Sequence, residues 1–159
     1  MAKDIKILFD NFLQTFDFNL VNGDLDTDEG LETAVLISLF SDKRAAIDDP
    51  LLDPLNPDDK RGWWGDLLEP VEEGDEIGSK LWLLAREKTT NDVYNKLESY
   101  INDALDWMIK DGVITKVDLI MERQIPLPEN NILAFEIKIY KIDGRELALN
   151  YSYQWDAIS

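Results

Sequence analysis

The chain has 159 residues, 45% of them hydrophobic and 31% charged, a balance that fits one domain with a real buried core. Its 33 acidic residues against 16 Lys and Arg give a formal charge of -17, which repels phosphate backbones and anionic lipid and so argues against nucleic-acid or membrane partners. With no cysteine and no histidine, disulfides, thiolate chemistry, the usual zinc, copper and non-haem iron ligand sets and the commonest neutral-pH general base all drop out, and no cofactor is expected.

The first residues, MAKDIKILFDNF, lack the basic start and continuous apolar run of a signal peptide, and no apolar run approaches the ~18 residues of a membrane span. The chain is therefore expected to be made in a cytoplasm and kept there or assembled from there. Between residues 5 and 25, Phe16, Phe18 and Leu20 alternate with Asp17 and Asn19, and Asn22-Gly23 separates them from Leu25. Alternation followed by Asn-Gly predicts a small N-terminal hairpin. The acidic and amide residues Asn22, Asp24, Asp26 and Asp28 invite comparison with a calcium loop, but no register places a glycine and a glutamate where such a loop needs them. A turn followed by a helix cap is the better reading.

From Asp28 to Arg44 the apolar residues Leu31, Ala34, Val35, Ile37, Leu39 and Phe40 fall largely at three- and four-residue steps, which predicts a mostly buried helix capped by Thr27 or Asp28. The segment from Ile47 to Asp59 holds three prolines and five aspartates, and proline both removes donors and disfavours helix before it. It is expected to be a rigid, solvated connector.

Residues 60–88, KRGWWGDLLEPVEEGDEIGSKLWLLAREK, contain three of the five tryptophans (Trp63, Trp64, Trp82) and four of the eight glycines (Gly62, Gly65, Gly74, Gly78). An indole pair bracketed by glycines needs a fixed backbone, so a long ordered loop over about 45–78 is expected to lead into a short apolar helix at Ser79 to Lys88. Adjacent side chains in extended backbone point to opposite sides, so one of Trp63 and Trp64 can enter the core while the other faces a partner. Arg61 beside them completes a grouping typical of interface anchors, although all three rings, Trp82 included, could equally fill the core. The nearby Glu69, Glu72, Glu73, Asp75 and Glu76 offer carboxylates for a glycosidase-like pair, yet nothing in the sequence selects two of them.

The clearest periodicity runs from Asn91 to Asp111, where Val93, Tyr94, Leu97, Ile101, Ala104, Leu105, Met108 and Ile109 step by three and four. That is an amphipathic helix of about five turns, ended by Gly112. The pattern then switches to period two. Strands are predicted over 113–121, over 133–140, and through Leu147, Leu149, Tyr151, Tyr153 and Trp155, with Asp143-Gly144 turning the last two into a hairpin. The predicted fold class is α+β, a single domain over 1–159: a C-terminal three-stranded antiparallel sheet packed on the long amphipathic helix, plus an N-terminal hairpin and helix.

The ordered series Ala34 to Phe40, Asp42 with Arg44-Ala45, the acidic Asp48-Asp49, Arg61-Gly62-Trp63-Trp64-Gly65-Asp66, Gly78-Ser79-Lys80-Leu81-Trp82-Leu83-Leu84, Ala104 to Trp107 and Asp111-Gly112-Val113 resembles the Mu-type phage baseplate protein family. The match runs from about residue 5 to the end. The resemblance implies a structural subunit of a contractile-tail baseplate, akin to the small wedge subunits, present in multiple copies and docked on other baseplate and tail proteins. It would lie in the virion tail after assembly in the bacterial host cytoplasm. Some relatives carry a lysozyme-like label, which keeps a carbohydrate-active hydrolase as the alternative function. Wedge relatives also begin a strand with Glu-Pro-Arg. Glu122-Arg123 is the nearest analogue here, lacking the proline, and the resemblance gives these two residues an interface role.

Overall fold

A computed structural model describes residues 4–10, 12–13, 15–28, 30–50, 58–67, 76–84, 91–122 and 131–155. In chain order its elements are strands β1 (Asp4–Ile5), β2 (Ile7–Asp10), β3 (Thr15–Phe18), β4 (Leu20–Val21), β5 (Asp24–Leu25) and β6 (Thr27–Asp28), helix α1 (Leu31–Phe40), single 3-10 turns at Trp64–Leu67 and Leu81–Leu84, helix α2 (Asn91–Lys110), and strands β7 (Ile114–Glu122), β8 (Asn131–Lys141) and β9 (Glu146–Trp155).

The α+β expectation holds. Strands β7, β8 and β9 form an antiparallel sheet in that order. Its register stacks apolar residues in rows across one face: Val117, Ile139 and Leu147; Leu119, Ile137 and Leu149; Met121, Phe135 and Tyr151. Because strand side chains alternate, the neighbouring rows turn outward and carry Lys116, Asp118, Lys138, Glu136 and Glu146, which pair among themselves. Helix α2 supplies the facing stripe, with Val93, Leu97, Ile101, Ala104, Leu105 and Met108 buried in one cluster with the sheet. Ile109, at the edge of the predicted stripe, is 42% exposed. The helix stops as its sequence predicts: Gly112 takes a left-handed φ of 69°, its N–H reaches the Ile109 carbonyl and the Val113 N–H that of Met108.

Helix α1 is shorter than its periodicity suggested, and its expected caps are used elsewhere. Thr27 and Asp28 form β6, paired with Ile5 and Asp4, so their backbone belongs to a strand and the helix starts behind Gly30 without any side-chain cap. At the other end Ser41 is already extended, because the backbone from Ser41 to Lys43 pairs with Ser79 instead of continuing the helix.

The N-terminal region is more elaborate than one hairpin. The Asn22-Gly23 turn does form, with φ of 54° and 83°, between β4 and β5. That hairpin is an excursion from a longer arm in which β1 and β2 run along β6 and β3 respectively. The Asp26 amide donates to the Asn19 carbonyl and the Lys6 amide to the Asp26 carbonyl, which closes the junction. Buried Thr33 of α1 ties the arm down: its hydroxyl accepts from the Ile7 amide and donates to the Ile5 carbonyl. Phe9 then stacks on Phe40, with ring centroids 4.7 Å apart, and both rings meet Tyr151.

The two faces of the sheet should respond differently to truncation. Ile137→Ala, at a site with 0% exposure, is expected to lower unfolding free energy by about 2–5 kcal/mol in urea titrations. Ile120→Ala, at 43% exposure on the opposite face, should stay within ~0.5 kcal/mol.

Candidate functional site

Between α1 and α2, the described residues 41–50, 58–67 and 76–84 form a strap braced by one buried serine, while 51–57 of the expected connector and 68–75 of the expected ordered loop lie outside the described residues. Ser79 is 2% exposed; its Oγ donates to the Leu39 carbonyl at the end of α1 and accepts from the Leu81 amide. A helix leaves its last carbonyls without intrahelical donors, and this hydroxyl satisfies one of them. The Ser79 backbone also accepts from Lys43 and donates to Ser41, a short parallel bridge between segments far apart in sequence. Gly78 makes that approach possible: its φ is 97°, and a Cβ there would fall 2.4 Å from the Ser41 carbonyl oxygen.

The next turn, Leu81–Leu84, is fully buried, as an apolar LWLL run requires. It is a 3-10 turn where a short helix over Ser79 to Lys88 was expected, and residues 85–88 lie outside the described residues. Trp82 is core, its indole N–H donating to the Lys43 carbonyl at 2.9 Å. The Arg61 guanidinium lies 4.5 Å above the Trp82 ring and 2.8 Å from Asp42 Oδ2. Arg61 is thus held by the strap itself, on a backbone with a left-handed φ of 49°.

Trp63 and Trp64 both remain on the surface, at 47% and 68% exposure. Extended-chain alternation does not apply to them, because Trp64 opens a 3-10 turn. Their rings come to 5.4 Å instead of splaying to opposite sides. Gly65 sits beneath the Trp63 ring, where any Cβ would overlap it. So of the three indoles, Trp82 is structural and the adjacent pair forms an exposed aromatic platform.

Ion pairs cross-link the strap further. Lys80 Nζ lies 2.6 Å from Asp49 Oδ2, which also accepts the Ala46 amide, and Lys43 Nζ lies 3.4 Å from Glu76. Burial pushes the Asp49 carboxyl up, but the hydrogen bonds from Lys80 and Ala46 and the Lys80 charge outweigh it and hold the group below its ordinary 3.8. For Lys80, burial pulls the ammonium down, and the Asp49 hydrogen bond and charge more than reverse this. A shallow cleft runs beside these pairs, lined by Lys43, Glu76, Lys80, Tyr100, Asp103 and Asp106.

Of the carboxylates that could have formed a hydrolytic pair, Glu76 is engaged by Lys43, and Glu69, Glu72, Glu73 and Asp75 lie outside the described residues. Arg123 also lies outside them, and Glu122 is the last residue of β7, its backbone opposite Ala134. The structure therefore gathers Arg61, Trp63 and Trp64 on one strap and places Glu122 at a strand end. Sequence reasoning gave no role to Ser79, Asp42 or Lys43. Their partners are distant in the chain, and no local spacing signals such contacts.

These features define a class of small acidic α+β proteins in which a cross-braced strap carries exposed aromatic side chains. The family model described as phage protein GP46 matches residues 31–146, from the first residue of α1 into β9, and the chain belongs to this family of Mu-type baseplate proteins. It is similar to the baseplate protein gp46 of Escherichia phage Mu, with 37% identity over 125 residues, covering 72% of this chain and 82% of the phage Mu protein. It is also 31% identical over 128 residues to the Mu-like prophage FluMu protein gp46 of Haemophilus influenzae, covering 80% of this chain and 81% of that protein.

Two measurements test the strap. Gly78→Ala should destabilise clearly more than Gly144→Ala in thermal melts, since both substitutions bear the ~1–2 kcal/mol of a left-handed side chain but only Gly78 faces a carbonyl oxygen. A carboxyl with a lowered folded pKa stabilises above its unfolded value and loses that contribution as pH falls through the folded one. The Asp49 contribution should therefore fade on acidification below 3.8, and Asp49→Asn should show a shallower acid-side loss of stability than the parent chain.

Proposed function

We propose that this chain is a structural subunit of a phage tail baseplate, of the wedge type found in contractile tails, and that it works by docking neighbouring tail proteins rather than by turning over a substrate. The reading draws on the relative in phage Mu, which is named a baseplate protein. The observation that carries the docking mechanism is the exposed Trp63–Trp64 platform on a braced strap. Large rigid aromatics lose little side-chain entropy on binding and dominate many interfaces. Arg61 acts as a positioning residue for the platform, with its exposed edge available to a neighbour. Glu122 and Arg123 form a second contact on the strength of the resemblance alone.

In this reading the partners are other baseplate and tail proteins, multiple copies are used in each particle, and assembly takes place in the host cytoplasm. The charge of -17 keeps free subunits apart until they meet complementary surfaces.

The double variant Trp63→Ala with Trp64→Ala should keep the circular dichroism spectrum of the parent chain. Loss of two interface anchors, at ~2 kcal/mol or more each, should all but remove it from tails assembled on a genome carrying the substitutions. Normal incorporation, quantified by mass spectrometry of purified particles, would show that the platform is not the interface.

A further inference from the structure

We propose that the N-terminal arm is a separate docking edge, on which an extended segment of a different protein, alternating apolar and basic residues, pairs along β3. The inference rests on the docking function proposed above and names one edge and the chemistry of its occupant.

The register of β2 and β3 sets Phe16 opposite Phe9 and Phe18 opposite Ile7, so these four side chains share one face. The inner pair, Ile7 and Phe9, packs against the main core. The outer pair lies at its margin, Phe16 at 47% exposure with its ring against Phe9 and Phe40, and Phe18 at 56%. Leu20, Val21 and Leu25 in the hairpin that follows are exposed as well, at 66%, 46% and 41%. Apolar exposure at this density marks an interaction surface.

The two edges of the arm differ. Thr33 occupies backbone groups of Ile5 and Ile7 on the side facing α1. Strand β3 pairs with β2 on one side, and among the described residues no strand lies on its other side, although the Phe18 amide is already bonded to Asp17 Oδ1 at 2.7 Å. An open edge beside a half-exposed apolar row is the geometry of strand addition: main-chain bonds supply affinity, and the row receives alternate side chains.

Charge selects the occupant. Residues 4–28 contain Asp4, Asp10, Asp17, Asp24, Asp26 and Asp28, whereas their one cation, Lys6, lies 3.1 Å from Glu32. A second copy would bring the same acidic arm and its own -17, so self-pairing is opposed. A segment bearing Lys or Arg between apolar residues satisfies both the row and its rim. The arm also precedes Leu31, where the match to the family model begins, so that model does not cover it.

The test titrates the full isotope-labelled chain with a short peptide of alternating lysine and valine, and with its glutamate–valine counterpart, in ~0.15 M salt. The lysine peptide is expected to shift amides of residues 15–25 saturably, and the glutamate peptide to leave them unmoved. Leu20→Ser and Asp17→Asn should each weaken the lysine peptide severalfold; the Asn side-chain oxygen can still accept from the Phe18 amide, and both side chains are exposed, so each variant should stay folded. Shifts spread over other acidic surfaces, indifference to both substitutions, or dimerisation through the arm in sedimentation would each overturn the inference. Particles that incorporate the arm variants normally while rejecting the Trp63/Trp64 variant would sink this edge and leave the docking function standing.

Discussion

Helix α1 cannot finish its own ends, and much of the molecule is arranged around that constraint. Its sequence, LETAVLISLF, has one charged residue, no side-chain cap at Gly30 and no basic residue in its last turn. An apolar helix of this kind gains from burial on several sides but leaves polar backbone groups that need partners brought by the tertiary fold. One buried hydroxyl, that of Ser79, meets part of the need, and two more, of Thr33 and Ser38, tie the helix to its neighbours. Thr33 joins the helix to β1 and β2, and Ser79 bonds the Leu39 carbonyl. In the middle, the Trp107 indole of α2 donates to Ser38 at 3.1 Å.

The strap inherits its geometry from the second of these bonds. Once Ser79 is fixed against Leu39, Gly78 must pass close to Ser41, Lys43 pairs with the Ser79 backbone, and Trp82 can reach the Lys43 carbonyl. Arg61 closes the loop by bonding Asp42 and covering Trp82. The Trp63–Trp64 pair is therefore carried on a cross-braced segment of irregular chain, where rigidity comes from specific hydrogen bonds and close glycine contacts. A surface that is ordered before binding loses less entropy on docking.

Long regular elements were legible from residue order. Helix α2 and the three C-terminal strands have periods of 3.6 and 2 sustained over enough residues to mark both the element and its buried face, and Gly112 and Gly144 mark the stops. Short elements were not. Strands of two residues, as in β1, β4, β5 and β6, have no period to detect, and only the Asn22-Gly23 turn announced one of the three N-terminal ladders. The caps expected at Thr27 and Asp28 failed because strand pairing with Asp4 and Ile5 claims the same backbone. In the candidate site, the glycine-bracketed indoles Trp63 and Trp64 lie on the braced strap, but their local spacing misplaced the rings.

Sequence alone determined the α+β class, the sheet with its helix, the acidic character and the strap as the place where aromatics concentrate, because periodicity, composition and glycine placement are local properties of a chain. Tertiary structure decided that Trp82 is core while Trp63 and Trp64 face outward, that Arg61 is held by Asp42 and Trp82, and that Phe16 and Phe18 stay about half exposed on β3. Those outcomes depend on contacts such as Ser79 with Leu39, 40 residues apart, and on which backbone groups reach a partner first. A competition between distant groups for the same donor or acceptor leaves no mark in the order of the residues.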